Sequence, residues 1–170
     1  FVTDEETSGE SAKQLVKKGY RTQLFIAVEP TDLDLVIETK GLLWMEGKIK
    51  GVATHGSRPW LGKNPVLVFQ ENLKKLSMVF PELKKEQLKT TLNIGEVKSG
   101  DCFNRIPPDL RFKLDIRYIP QENPQTIIEK VKKCFLPSTQ WKIERCDVPH
   151  KKAKNLKSIR KLKKIAEKQG

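Results

Sequence analysis

The sequence predicts an α/β protein with an α+β unit at its centre. Three observations predict it. Between about residues 42 and 148 the elements run β-α-β-β-α-β, the split βαβ, ferredoxin-like order. Before that unit lies Leu24-Phe25-Ile26-Ala27-Val28, a short apolar run typical of a buried strand. After it comes a lysine-rich helix at 151–170, with Leu156, Ile159, Leu162 and Ile165 (or Ala166) on one stripe.

Each element has a local reason. Residues 1–3 read as the end of a strand, and a short helix then runs to about Lys18, where Gly19 ends it. The strand at 21–28 is stopped by Glu29-Pro30-Thr31, and 33–40 is a connector. Residues 42–54 alternate well enough for one strand, followed by a polar Gly/Ser/Pro loop at 55–63. Asn64-Pro65 opens a helix to about Phe80, because Asn is a good N-cap and Pro suits the first helical position. Strands follow at 90–96 and 110–118; in the second, Leu110, Phe112, Leu114 and Ile116 alternate with polar partners. A helix at 124–135 turns Ile127, Ile128, Val131 and Phe135 inward, and 141–146 is the last strand.

Composition bounds the function. At 37% hydrophobic and 32% charged, the chain of 170 residues is polar but globular, long enough for a buried core. No run of about 18 apolar residues exists, so no membrane span is expected, and no basic-then-apolar leader opens the chain. Phe1 stands where Met would open a complete chain, which predicts a piece of a longer protein. The net charge is +12, and residues 151–170 supply +8 of it through nine Lys or Arg against Glu167. A nucleic-acid reading would therefore rest on one terminal helix with no interleaved stacking aromatics, and a solvated face is the expectation. Cys102, Cys134 and Cys146 form no close-spaced pair, which fits a reducing cytoplasm and no disulfide framework.

Four signals occur in fixed order. They are Thr3-Asp4-Glu5-Glu6, Glu29-Pro30-Thr31, Gly41 followed by His55-Gly56-Ser57-Arg58-Pro59, and Asn104-Arg105-Ile106-Pro107 followed by Asp115-Ile116-Arg117. A hydrolase needs a base for water and carboxylates for metal, and adjacent residues leaving a strand point apart, so a Glu-Glu pair can divide those jobs. An acidic first turn of a helix would place the same carboxylates there. Glu29 ends an apolar strand, where ligands of α/β domains collect; it also suits a plain surface turn.

Taken together around a ferredoxin-like insert, these signals resemble the two-zinc amidohydrolase and exopeptidase family. That family includes acetylornithine deacetylase, succinyl-diaminopimelate desuccinylase, aminoacylase and glutamate carboxypeptidase. The resemblance covers nearly the whole chain but only the middle of the family pattern. It implies a partial zinc-exopeptidase catalytic domain at 1–38, an inserted lid or dimerisation domain at 39–149, and a return helix of the catalytic domain at 150–170.

The resemblance also implies roles. Glu5 would be the general base, Glu6 and Glu29 zinc ligands, and Asp4 their support. His55 would act from the lid in the active site of a partner subunit, polarising the scissile carbonyl, so a homodimer is implied. Asn104 would help hold the substrate, and Arg117 would bind its carboxylate or brace the lid. Two zinc ions are implied for the full-length parent, with Co or Mn possible. The substrate would be an N-acyl amino acid or small peptide; Thr39-Lys40 replaces the arginine pair common in desuccinylases. The first His-x-Asp motif, the bridging Asp and the final His of the family do not occur in these residues. Two carboxylates without imidazoles hold zinc poorly, so the isolated 170-residue polypeptide is expected to be inactive. The competing expectation is a non-catalytic dimerisation module derived from the lid.

Overall fold

A computed structural model of the chain describes residues 9–22, 31, 35–85, 87–151 and 156–169. It divides into two compact units. One is Phe1–Leu35 with Lys154–Gly170, and the other is Val36–Ala153. The first contains helix α1 (Glu10–Lys17) and helix α4 (Leu156–Gln169). On α4, Ile159 and Leu162 are half-buried and Ile165 is exposed. The expected strands at 1–3 and 21–28 lie outside the described residues, apart from Arg21 and Thr22, which are not in a strand.

The second unit is built on a four-stranded antiparallel sheet. Its strands are β1 (Gly41–Lys50), β3 (Thr91–Ser99), β5 (Asp109–Tyr118) and β6 (Gln140–Asp147). Their order is β3-β5-β1-β6, with β1 and β5 central, which is the ferredoxin-like arrangement. A two-residue ribbon, β2 (Thr54–His55) with β4 (Arg105–Ile106), forms a second sheet. Helices α2 (Pro65–Val79) and α3 (Pro124–Lys133) cover one face of the large sheet. Both helices start alike: the side chain of Asn64 accepts from the Val66 N–H, and that of Asn123 from the Gln125 N–H.

Alternation in the strands builds the core. Leu43, Met45 and Ile49 of β1 and Leu110, Phe112, Leu114 and Ile116 of β5 are buried against Phe69 and Leu76 of α2 and Ile127 and Val131 of α3. Phe112 sits in an aromatic cluster. Its ring stacks on Phe135 at 4.9 Å, tilts against Phe69 at 4.9 Å, and takes Trp141 edge-on at 5.4 Å. At the other end of the unit, the Thr39 N–H donates to the His150 carbonyl at 3.0 Å, so the incoming and outgoing chains run side by side.

Four expected boundaries shift. The single strand expected over 42–54 is two pieces, because the chain leaves the sheet at Gly51. There the Gly51 N–H donates to the Pro108 carbonyl at 2.8 Å, and a Cβ would lie 2.6 Å from the Lys63 carbonyl oxygen. Val52 then bridges to Lys63 instead of continuing β1. The strand expected to end at Glu96 runs on to Ser99, past an irregularity in its pairing between Ile94 and Glu96. Helix α3, expected to reach 135, stops at Lys133, although Phe135 beyond it remains buried, and of the helix expected over 151–170 Lys151 is not part, α4 being described from Leu156.

Asn72 of α2 is 2% exposed, and its Nδ2 has no hydrogen-bond partner. A buried unsatisfied donor costs about 1–3 kcal/mol. Asn72→Leu is therefore expected to raise stability by about 1 kcal/mol in urea unfolding. A loss of stability would mean that a buried water satisfies the amide. Among the described residues no helix is long and apolar enough to cross a membrane.

Candidate functional site

The short ribbon brings two motif segments together. Thr54 pairs with Ile106 and His55 with Arg105, and the Gly56 N–H donates to the Asn104 carbonyl at 2.7 Å. A Cβ on Gly56 would sit 3.2 Å from that carbonyl, so glycine lets the two backbones meet this closely. Residues 59–61 make one turn of 3₁₀ helix, which packs back on β2.

His55 is exposed, but its ring is oriented. The Ser57 N–H donates to His55 Nδ1 at 3.2 Å, and Ser57 Oγ lies 2.8 Å from the same nitrogen. A backbone N–H can only donate. Nδ1 therefore carries the lone pair, and the neutral ring carries its proton on Nε2. The ring offers a fixed Nε2–H donor, a type of group able to stabilise a developing oxyanion. In the sequence Ser57 stands only as a member of the motif and of the polar Gly/Ser/Pro loop at 55–63. The signal was its position two residues after His55, a spacing at which side chain and backbone bond locally.

The segment before Asn104 is clamped as well. Arg105 pairs with Asp101 at 2.7 Å. The Cys102 thiol, and then the Arg105 guanidinium, hold the Asp101 carboxyl below its usual range. Between them Phe103 is wholly exposed. The clamp and the aromatic beside it were not foreseen from the sequence.

Arg117 is placed elsewhere. It lies eight residues beyond Asp109 on β5, about 27 Å along the strand, so it is not brought to His55 and Asn104. Its neighbours Ile116 and Tyr118 face the core, so Arg117 faces away from the helices. There its Nε meets Asp115 Oδ1 at 2.9 Å and a second nitrogen meets Oδ2 at 3.2 Å. Trp44 Nε1 donates to the same Oδ1 at 3.0 Å, and the Arg145 guanidinium lies 5.6 Å from the Trp44 ring centroid. Asp4, Glu5, Glu6 and Glu29 lie outside the described residues. Among the described residues no group of three or more His, Cys, Asp or Glu could hold a metal ion, and the three cysteines are free. The described residues therefore do not fit a two-zinc site by themselves.

The fold and this ribbon define a class: an antiparallel α+β domain with helices on one face and a histidine-bearing ribbon beside the sheet. The chain belongs to the family described as the peptidase dimerisation domain, whose model matches residues 37–138, more than half of its length. Among curated proteins it is 34% identical over 150 residues to a probable carboxypeptidase of Aspergillus flavus, covering 76% of this chain and 35% of that protein. It is 31% identical over 130 residues to a probable carboxypeptidase of Paracoccidioides brasiliensis, covering 69% of this chain and 29% of that one. The chain thus spans about a third of the length of the curated relatives it matches. Solved structures share the fold. Aminopeptidase PepT from Bacillus cereus matches at TM-score 0.62 and 19% identity, over 79% of this chain and 37% of that one. The M20 family metallo-carboxypeptidase Sso-CP2 from Sulfolobus solfataricus matches at TM-score 0.56 and 18% identity, over 78% and 44%.

Proposed function

We propose that these residues belong to a metal-dependent hydrolase of the carboxypeptidase and aminoacylase type, which cleaves the amide of an N-acyl amino acid or small peptide. The observation that carries this reading is His55. Its ring is oriented by Ser57 on a ribbon that also bears Asn104, in a chain whose family match spans 37–138. In the proposal, residues 39–149 are the lid and dimerisation domain. Residues 1–38 and 150–170 are parts of the catalytic domain.

The chain's own residues would divide the work as follows. Glu5 takes the proton of the attacking water and later passes it to the leaving nitrogen as the C–N bond breaks. His55, acting in the partner subunit's cleft, donates Nε2–H to the oxygen that gains charge in the tetrahedral state. Asn104 holds the substrate from the same ribbon. Arg117 braces the outer sheet face through Asp115, a role its two contacts favour over gripping a substrate carboxylate. Glu6 and Glu29, with Asp4 as support, are the proposed metal carboxylates; zinc, when bound, supplies an acidified water. The two histidines of these 170 residues are His55, which takes the oxyanion role, and His150, which lies where the chain leaves the lid beside Thr39, so the proposal draws the imidazole ligands of that metal site from other parts of the protein.

Glu5→Ala in the full-length polypeptide is the direct test. The expected result is a loss of kcat of about 100- to 10,000-fold with metal content retained. Activity that survives would remove Glu5 as the base. A second reading, a dimerisation module without catalysis, is favoured by the family match itself. Light scattering on the 170-residue chain addresses it. A dimer at low micromolar concentration supports the module, and a monomer at every concentration opposes it.

A further inference from the structure

We propose that the outer face of the sheet carries a binding site for a phosphate chain, formed by Lys98, Arg111 and Lys48 in one row across β3, β5 and β1. The proposal is independent of the hydrolase reading and uses none of the motif residues. Scattered charges on an exposed sheet face are ordinary and contribute little. Register, an unpaired guanidinium and the neighbouring rows set this row apart.

Register comes first. Arg111 lies directly opposite Lys98 on one side and Lys48 on the other, and Gln140 of β6 follows Lys48. Its neighbours on β5, Leu110 and Phe112, are fully buried, so Arg111 stands on the face away from the helices. Like charges directly opposite each other destabilise a strand pair. Three cations in one row, with no carboxylate among them, therefore weaken the sheet they sit on. The other rows of this face do not. The next row, towards the start of β1, alternates in sign through Glu96, Lys113, Glu46 and Lys142. Beyond it Asp115 and Arg145 flank Trp44, and on the other side Lys50 faces Asp109.

The central guanidinium has no ion-pair partner among the described residues. Lys48 pairs with Asp109 at 2.9 Å, and Lys98 with Glu96 at 3.0 Å. An ammonium has three N–H donors, so each lysine keeps donors for a further anion. Arg111 is exposed, and its planar fork suits two oxygens of one phosphate.

The surroundings set the form of the ligand. Two strand spacings, about 10 Å, separate Lys98 from Lys48. Two residues along a strand, about 7 Å, lead to Glu96 and Glu46 on one side of the row and to Asp109 on the other. A broad anionic surface, such as a membrane or a nucleic-acid backbone, meets those carboxylates as well as the cations. A narrow chain of negative charge running across the strands meets the three cations alone. Several charges on one ligand are needed, because a single exposed ion pair holds weakly. A chain of two or three phosphates has both properties.

The test is calorimetric titration of the full-length polypeptide with tripolyphosphate and with ATP at low ionic strength. Arg111→Gln is expected to weaken tripolyphosphate binding by roughly 10- to 100-fold, the usual loss when charge-assisted hydrogen bonds are removed. Lys113→Gln takes the same charge from the alternating row and is expected to weaken it about fivefold at most. Both variants keep any metal site intact, so the difference between them reports the sheet face. Without ligand, Arg111→Gln should melt at or slightly above the wild type, because its like-charge contacts are gone. Tripolyphosphate should raise the melting temperature of the wild type and not that of Arg111→Gln. ATP binding more tightly than tripolyphosphate assigns the site to a nucleotide, and equal or weaker binding assigns it to the phosphate chain itself. Three results would overturn the proposal: no binding of either ligand at millimolar concentration, no larger loss in Arg111→Gln than in Lys113→Gln, or tighter binding of an oligoglutamate peptide than of tripolyphosphate.

Discussion

His55→Ala in the full-length polypeptide is expected to lower kcat about 100- to 1,000-fold, the usual loss when one preorganised oxyanion donor is removed. KM should change little, because the bond to Nε2–H strengthens only as charge develops on the oxygen. On the proposed reading, the geometry is what would let a surface histidine carry so much. Ser57 occupies Nδ1 through its N–H at 3.2 Å and its hydroxyl at 2.8 Å, so the tautomer and ring direction are set before substrate arrives. The same variant tests whether His55 works across a dimer. Mixing equal amounts of Glu5→Ala and His55→Ala subunits gives heterodimers in about half of the population. If His55 acts in trans, each heterodimer has one intact site, and activity returns to about a quarter of wild type. If it acts within its own subunit, every site keeps one defect and nothing returns.

Gly47→Ala is expected to cost about 2–3 kcal/mol and to lower the melting temperature of the second unit by about 10 °C. Gly47 lies opposite Phe112 across the β1–β5 pair, and the Phe112 ring folds over it. A Cβ at that position would lie 2.1 Å from Phe112 Cζ. A free side chain would swing aside. This ring cannot, because Phe69 and Phe135 each lie 4.9 Å from it and Trp141 meets it edge-on. The added methyl must displace the packed cluster or the strand. Thermal unfolding with circular dichroism checks the magnitude, and a shift under about 2 °C would mean that the cluster yields easily.

The elements that were legible were those with a local cause. The Asn-Pro pairs at 64–65 and 123–124 each supply a side-chain oxygen for a free N–H and a proline where no N–H is needed, and each starts a helix. The alternation from Leu110 to Ile116 is a period of two, and all four apolar residues are buried. The misplaced boundary after Lys50 had a non-local cause. Gly51 leaves the sheet because Pro108, 57 positions later, takes its N–H, and because Lys63 and Pro65 crowd its Cα. Periodicity within a window cannot contain that information.

The candidate site divides in the same way. His55, Asn104 and Arg117 were legible as motif residues, because their neighbours Gly56, Ser57, Ile106 and Pro107 carry the pattern. Which of them meet was not legible. Arg117 read as either a carboxylate binder or a brace of the lid, and its ion pair with Asp115, two positions back on the same face of β5, came only with the structure.

By itself, then, the sequence determined where α2 and α3 start, the inward residues of each central strand and the ferredoxin-like order. Hydrogen-bonding side chains and hydrophobic periods act over a few residues, so they can be read along the chain. Only the tertiary structure decided that His55 pairs with Arg105 while Arg117 sits about 27 Å further along β5, and that Phe112 covers Gly47. Those outcomes depend on strand pairing between residues 50 and 65 positions apart. Such register is set by packing both strands against one core, not by either segment alone.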